Sequence, residues 1–249
     1  MDERDSQFLL DEKYGGVRTP EYEEDLARLA SGEPVDYLIG WKPFLDCKIF
    51  LDSHPLIPRA ETEYWVERAV NEIKKSKSGD GGNRHLDLFA GSGAIGIALL
   101  KHLPETRVDF GEIDAAHPPT ILKNIRENGI DESRARIIET DVWKNIPDTY
   151  DFVFANPPYL SESRREKIQD SVLFYEPGVA LFAAEDGLAL IRRTIEGLRE
   201  HLSPSGALYL EHEPEQSVPI ARLALENGLS AQARTDQFGF VRYSVISVA

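Results

Sequence analysis

The sequence predicts an α/β protein built on a seven-stranded, mostly parallel sheet with helices on both faces. Two observations predict this fold class. From His85 onwards, short apolar segments typical of buried strands alternate with segments of helical period, which is the pattern of βαβ units. Only Asp236–Gly239 separates the last two strand-like segments, and so short a connection joins antiparallel neighbours. We therefore expect the last strand to run antiparallel.

The composition predicts a soluble protein of one large domain, with or without a small appendage. The chain has 249 residues, of which 41% are hydrophobic and 29% charged, and its net charge is −15. An acidic surface repels phosphate backbones, so nucleic acid is disfavoured as the main partner. Cys47 is the single cysteine, so no internal disulfide can form. Without a run near the roughly 18 apolar residues of a membrane span, we expect a cytoplasmic monomer with no membrane partner.

Residues 1–58 precede the alternating pattern and predict a short helical segment followed by a β-hairpin. Ser6–Lys13 is a weak helix candidate. A stronger helix should begin after Thr19, an N-cap residue, with Pro20 at its first position. Two apolar stretches on either side of Asp46 predict the hairpin.

The elements of the second part, residues 59–249, begin with a helix from Glu61 to Lys75 and a glycine-rich loop, Ser76–Asn83. Strands are then predicted at His85–Ala90, Val108–Ile113, Ala135–Glu139, Tyr150–Ala155, Gly206–His212, Ser230–Thr235 and Val241–Val248. Helices are predicted near 93–102, 117–128, 161–170, 187–202 and 214–227.

The segment Asn156-Pro157-Pro158-Tyr159 directly follows the fourth predicted strand. Two prolines cannot continue a strand, because proline lacks an N–H and restricts the residue before it to extended geometry. The strand must stop here, and its last side chains lie at the carboxyl edge, where open α/β sheets bind ligands. The four residues by themselves are compatible with a rigid turn or with a site.

A glycine-containing loop follows the first strand and precedes the first helix of the alternating part. It comprises Gly91-Ser92-Gly93, after Asp87 and Phe89. Glycines at this position let a ligand approach the backbone closely. The spacing matches neither a dinucleotide fingerprint nor a P-loop. Asp87 could accept a hydrogen bond from an ammonium group or from loop N–H groups.

Acidic residues also follow the second and third strands. A carboxylate after the second strand suits a ribose diol, and Glu112 and Asp114 compete for that role. Asp141 could accept from an exocyclic adenine amine, with Val142 and Trp143 as apolar walls. Three acids without a phosphate-binding lysine fit a nucleoside that carries an amino acid, which is S-adenosylmethionine. The other interpretation of each acid is a solvated surface residue.

Several further short segments occur together in this chain, in an order that is typical of one protein family. They are Gly32-Glu33-Pro34, Tyr37-Leu38, Leu56-Ile57-Pro58-Arg59, Glu61-Thr62-Glu63, Tyr175-Glu176-Pro177 and Asp186-Gly187-Leu188. With the glycine loop and Asn-Pro-Pro-Tyr, the chain resembles the class I, S-adenosylmethionine-dependent methyltransferases. Within them it is similar to the protein-(glutamine N5) methyltransferases of peptide-chain release factors, the PrmC/HemK family. The resemblance spans roughly residues 30 to 245.

The resemblance implies a role for most of the candidate residues. Asp87, Phe89, Gly91 and Gly93 match the cofactor loop, Glu112 falls on the ribose acid, and Asp141 falls on the adenine-contacting acid. Asn156, Pro157, Pro158 and Tyr159 fall on the site that binds the substrate amide. Arg59, Glu61 and Glu63 are expected to border that site or to form a surface salt-bridge cluster. Residues 1–58 would be a shortened substrate-recognition segment.

The sequence departs from the family at a few positions. The loop reads Leu88-Phe89-Ala90-Gly91 where the family usually has Gly-Thr-Gly, and Glu211-His212 replaces an acidic residue followed by glycine. The histidines show no metal-ligand spacing, so no metal is expected.

The resemblance implies a transfer reaction on an amide nitrogen. The Asn156 side-chain oxygen and the Pro157 carbonyl would accept the two N–H groups of a glutamine amide, while Tyr159 packs on its plane. One alternative is methylation of an exocyclic amine of RNA or DNA, because the loop also resembles that of ribosomal RNA guanine methyltransferases. A second alternative is an inactive methyltransferase-like scaffold that binds a partner.

Overall fold

The strands of the described residues, 3–76 and 84–248 of a computed structural model, form a hairpin and a seven-stranded sheet. Their bounds are β1 (Trp41–Phe44), β2 (Cys47–Phe50), β3 (Arg84–Leu88), β4 (Arg107–Glu112), β5 (Ala135–Glu139), β6 (Tyr150–Ala155), β7 (Leu202–Glu211), β8 (Leu229–Thr235) and β9 (Val241–Val248). The strand order of the sheet is β5-β4-β3-β6-β7-β9-β8. All pairs are parallel except those of β9, which runs antiparallel to β7 and β8. The predicted fold class and the direction of the last strand are confirmed.

The helices lie before and between these strands. Their bounds are α1 (Glu3–Tyr14), α2 (Pro20–Ala30), α3 (Val35–Ile39), α4 (Ala60–Ser76), α5 (Ala94–His102), α6 (Pro118–Glu127), α7 (Asp170–Tyr175), α8 (Ala189–His201) and α9 (Ser217–Glu226). The chain moves from β3 outwards to β5, then returns to β6 on the other side of β3. The order thus reverses between β3 and β6, and a crevice opens at the carboxyl ends of strands at such a point.

Each face of the sheet is covered by its own apolar layer. Helices α4, α5 and α6 cover one face, where Trp65, Ile97 and Ile121 pack with Phe154 of β6. Helices α8 and α9 cover the other face. There Ile195 of α8 packs in one apolar layer with Val153 and Ala155, the neighbours of Phe154 in β6. Because successive strand residues point to opposite faces, a strand buried on both faces is mostly apolar.

The hairpin joins the first apolar layer and is fixed to α6 by two asparagines. Asn124 accepts from the Phe50 N–H at 2.7 Å and donates to the Phe50 carbonyl at 3.1 Å. Asn128 makes the same pair of bonds with the backbone of Lys48. These amides satisfy the outer edge of β2 as a further strand would. The proposed division of the chain at residue 58 stays a prediction.

Helices α1, α2 and α3 form a separate small core around Leu9, Tyr22 and Leu38. The predicted N-cap of α2 is confirmed, since the Thr19 hydroxyl oxygen accepts from the Tyr22 N–H at 3.2 Å. Buried Asp25 accepts hydrogen bonds from Lys13, Tyr14 and Arg28 and ties the helices together.

One predicted helix is wrong. Residues 161–170 do not form an α-helix: a 3₁₀ helix spans Glu162–Lys167, and α7 begins only at Asp170. The 3₁₀ segment buries none of its residues, so nothing favours a longer helix there. The predicted loop Ser76–Asn83 lies outside the described residues from position 77 onwards.

Candidate active site

A cavity of about 380 Å³, here called the large cavity, opens at the carboxyl edge of the sheet. Its lining includes Leu56, Leu88, Phe89, Gly91, Glu112, Ile113, Asp114, His117, Thr140, Asp141, Val142, Asn156, Pro158, Val179 and Ala180. Residues after β3, β4, β5 and β6 thus meet at the point where the strand order reverses. Apolar walls with a few carboxylates suit a ligand with a flat ring and hydroxyl or amino groups.

The loop after β3 approaches the large cavity with its backbone. Phe89 has a φ of 66° and Gly91 a φ of 53°, both left-handed. Such a conformation is strained for a phenylalanine, at a cost of about 1–2 kcal/mol. Phe89 therefore occupies a position for which glycine is suited, and it places its ring in the cavity wall. Gly93 does not line the cavity; a Cβ there would lie 3.2 Å from Ile121.

Glu112 is the buried carboxylate of the large cavity. One of its oxygens accepts from the Gly91 N–H at 2.7 Å, and the other accepts from Ile113 and Asp114 at 2.8 Å each. A carboxylate has about four acceptor positions, so it can also receive a ligand hydroxyl. The side chain of Asp114 is 47% exposed and caps the turn through Ala116. The geometry favours Glu112 over Asp114 as the ribose ligand.

Asp87 lies beneath the loop and not in the cavity wall. One carboxyl oxygen accepts from the Gly96 N–H at 2.8 Å, which anchors the start of α5. The other oxygen is buried and has no partner among the described residues. Burial raises the pKa of Asp87 well above its usual range, and the nearby Glu112 adds to this effect. Asp87 thus shapes the loop from below, and its expected role in cofactor binding stays a prediction.

The residues after β5 divide between the cavity and the interior. Asp141 and Val142 line the large cavity, and Asp141 pairs with Arg193 at 2.9 Å. Trp143 does not line it. Its indole N–H donates to backbone carbonyls of α8, and its ring stacks on His201 at 4.6 Å. The structure therefore does not support the expected contact between Trp143 and the cofactor, because the indole ring packs against α8 instead.

A second cavity of about 130 Å³, here called the small cavity, adjoins the first. Asn156, Leu56 and Ala180 line both cavities, so Asn156 stands where the two meet. Pro157 and Tyr159 line the small cavity, whereas Pro158 lines the large one. The four residues that end β6 are thus the partition between two binding spaces.

Asn156 and Pro157 present unused acceptors. The Asn156 side-chain nitrogen lies 3.4 Å from the Thr62 hydroxyl oxygen. Within the described part of the chain, no group donates to Asn156 Oδ1 or to the Pro157 carbonyl. Two acceptors at the boundary of two cavities can bind the two hydrogens of a primary amide or amine.

Buried Glu211 supports this partition from behind. It accepts from Thr62 and Trp65 at 2.6 Å each and from the Tyr159 hydroxyl at 2.9 Å. Burial raises the pKa of Glu211, and the hydrogen bonds from its three donors oppose that change. The position was recognised in the sequence only as a departure from the family pattern. An acid at the end of β7, the strand beside β6, was the signal that could have identified it.

Of the three residues expected at the border of the amide site, Arg59, Glu61 and Glu63, only Arg59 lines the small cavity. Arg59 lines the small cavity and pairs with the buried Glu176 at 2.5 Å. Glu176 also accepts from the Ile57 N–H at 3.1 Å, which holds the segment after α7 over the cavity. Glu63 does not border the cavity, because its carboxylate accepts from the Leu45 N–H at the hairpin turn. Glu61 lines neither cavity.

His212 follows Glu211 and is a buried, neutral histidine. Its Nδ1–H donates to the Glu213 carbonyl, so its Nε2 accepts from the Ser244 hydroxyl. Burial lowers the pKa of His212 from 6.5 to about 4. Between these values the unfolded chain binds a proton that the folded chain excludes, so stability is lost as the pH falls through this window.

Replacing His212 by glutamine is expected to change how the free energy of unfolding depends on pH. Relative to His212→Gln, the wild type should lose up to ~3 kcal/mol of unfolding free energy between pH 7 and pH 4. Urea titrations of both proteins at several pH values measure the difference. Parallel pH profiles would contradict a neutral His212.

No helix within residues 3–76 and 84–248 is long and apolar enough to cross a membrane. No group of three or more His, Cys, Asp or Glu residues in the same ranges could hold a metal ion.

The large cavity fits S-adenosylmethionine by the chemistry of its lining. Glu112 can accept from ribose hydroxyls, Asp141 can accept from the adenine amine, and Phe89 and Val142 supply apolar walls. No phosphate-binding lysine lies among the lining residues.

Comparison with known proteins agrees with this site. A family model described as "methyltransferase small domain" matches residues 70–176. The chain is 33% identical to a release factor glutamine methyltransferase of Streptococcus pneumoniae, covering 96% of this chain and 84% of the relative. It is 32% identical to the protein of the same name from Lactococcus lactis, covering 89% and 79%.

Among solved structures, the hMettl16 catalytic domain in complex with an RNA hairpin is similar to this chain. The TM-score is 0.61 at 17% identity, and the match covers 82% of this chain and 76% of that one. At this identity the likeness concerns the fold alone. The sequence matches go further and agree with the geometry of the large cavity. The chain is a methyltransferase with S-adenosylmethionine as its methyl donor, and it belongs to the family of release factor glutamine methyltransferases.

Proposed function

We propose that this protein methylates the side-chain amide nitrogen of a glutamine in a peptide-chain release factor, within its Gly-Gly-Gln motif. The observation that carries the proposal is the position of Asn156 between the large and the small cavity, where Asn156 Oδ1 and the Pro157 carbonyl accept no hydrogen bond from the described residues. The named relatives are release factor glutamine methyltransferases. The same acceptors could bind an exocyclic amine of a nucleic acid, so the choice of glutamine rests on these relatives.

The small cavity would orient the glutamine amide. Its nitrogen is a weak nucleophile, because its lone pair is delocalised into the carbonyl. Asn156 Oδ1 and the Pro157 carbonyl accept its two N–H groups, which aligns the nitrogen with the large cavity. Both acceptors also stabilise the positive charge that develops on the nitrogen. Proline suits this position since it offers a carbonyl without a competing donor.

The other walls of the small cavity hold the amide plane and exclude water. Tyr159 packs on the amide, and its hydroxyl is held by Glu211. Val172 and Leu181 close the apolar side. S-adenosylmethionine supplies an electrophilic methyl group on a sulfonium when it is bound in the large cavity. The nitrogen loses its proton readily after transfer, so no strong base is required.

A labelled-methyl assay tests the proposal. The purified protein is incubated with S-adenosylmethionine that carries a tritiated methyl group and with a release-factor fragment that contains Gly-Gly-Gln. We expect label in this fragment and none in a matched fragment that contains Gly-Gly-Glu. Label in ribosomal RNA instead would favour the nucleic-acid alternative. Cofactor binding by calorimetry without label in either substrate would indicate a scaffold.

A further inference from the structure

Two buried residues next to Asn156, Thr62 and Glu211, determine which end of its side-chain amide faces the cavities. Thr62 lies in the first turn of α4 and is 4% exposed, and Glu211 ends β7 and is 1% exposed. The Thr62 hydroxyl donates to Glu211 at 2.6 Å. Tyr159 and Trp65 donate to the same carboxylate, which in its ionised form acts only as an acceptor.

This arrangement leaves Thr62 with one possible role towards Asn156. A hydroxyl has a single hydrogen, and that of Thr62 is used by Glu211. Its oxygen can therefore only accept, and the atom of Asn156 that faces it at 3.4 Å must be the amide nitrogen. The opposite orientation would bring two oxygens together with no hydrogen between them. Asn156 Oδ1 consequently faces the boundary of the two cavities.

The orientation matters because the two ends of the amide have opposite chemistry. Oδ1 accepts a hydrogen bond from the substrate N–H, whereas a flipped Asn156 would present its own NH2 group to the substrate NH2. Two donors repel each other, and the substrate nitrogen would lose one of its acceptors. The carboxylate that fixes Thr62 also holds the hydroxyl of Tyr159. One buried group thus organises both the acceptor and the wall of the small cavity.

We propose that Thr62 and Glu211 are positioning residues, which fix the Asn156 amide with its oxygen towards the substrate by a directed chain of hydrogen bonds. This inference rests on the proposed function, because it assigns Asn156 the role of acceptor. Neither residue contacts the substrate itself.

A pair of substitutions at Thr62 tests the proposal by activity. Thr62→Val keeps the shape of the side chain and removes the hydroxyl, whereas Thr62→Ser keeps the hydroxyl. We expect Thr62→Val to lower kcat for the Gly-Gly-Gln fragment roughly tenfold or more, with the Kd for S-adenosylmethionine within about twofold of wild type. Thr62→Ser should retain most of the wild-type kcat. A Thr62→Val protein with kcat within about twofold of wild type would overturn the proposal.

A second measurement does not depend on turnover. The two side-chain amide protons of Asn156 can be assigned by NMR from their absence in Asn156→Ala. In the wild type and in Thr62→Ser, the proton that faces residue 62 should exchange slowly with solvent, and in Thr62→Val it should exchange faster. Fast exchange in the wild type would overturn the proposal even if Thr62→Val does not fold. If the wild type methylates no glutamine but shows the slow proton, the proposed function fails while the orientation stands.

Discussion

Replacing Asn156 by alanine is expected to lower kcat for the Gly-Gly-Gln fragment by about 10²–10³-fold, the effect of removing one hydrogen-bonding group that stabilises a transition-state charge. In the proposed mechanism, Asn156 Oδ1 is one of two acceptors for the substrate amide, and it stabilises charge only as the nitrogen is methylated. The Pro157 carbonyl remains, so some activity should survive. The binding of S-adenosylmethionine should change little, since the large cavity keeps its other walls. Initial rates with tritiated cofactor and calorimetry measure the two effects separately.

Asn227→Ala is the matched control for this experiment. Asn227 follows α9, and its side chain donates only to the Leu223 carbonyl, away from both cavities. This variant should retain wild-type kcat and cofactor affinity. If Asn156→Ala turns over as fast as the control, Asn156 does not hold the substrate amide.

Replacing Glu112 by alanine is expected to weaken the binding of S-adenosylmethionine about 100-fold or more. The substitution removes the proposed acceptor of ribose hydroxyls and leaves the N–H groups of Gly91, Ile113 and Asp114 without their partner. Hydrogen bonds to a charged group contribute about 1.5–3 kcal/mol each, so the loss of one or two accounts for this factor. Calorimetric titration of the cofactor measures the change in Kd.

Asp114→Ala distinguishes the two candidates for the ribose site. Asp114 lines the same cavity, but its side chain is 47% exposed and serves the turn through Ala116. We expect its removal to raise the Kd for S-adenosylmethionine less than about fivefold, because water weakens the interaction of an exposed carboxylate with a ligand. A larger loss of affinity in Asp114→Ala than in Glu112→Ala would reverse the assignment.

Sequence patterns were most informative where chemistry is local. The N-cap of α2, the hairpin around Asp46 and the strand that ends at Asn156 all depend on the backbone preferences of neighbouring residues. The failure at 161–170 has the same origin, because a charged segment without an apolar stripe carries little local information about its conformation.

Side-chain direction was less predictable than position. Trp143 is adjacent to Val142 in the sequence, yet only Val142 lines the large cavity. Val142 has a φ of 56°, and a left-handed residue turns the chain sharply, so the next side chain leaves the cavity and packs under α8. Glu63 likewise turns to the hairpin, one residue away from Thr62, which supports the site.

The sequence by itself determined the alternation that builds the sheet, the antiparallel last strand, the rigid end of β6 and the acids at the strand ends. These features follow from hydrophobic period, proline geometry and the position of polar residues after apolar runs. Only the tertiary structure decided which acids face a cavity and which way the Asn156 amide is turned. Those properties depend on contacts such as that between Thr62 and Glu211, whose positions are 149 residues apart in the chain and meet only because α4 packs across the end of β7.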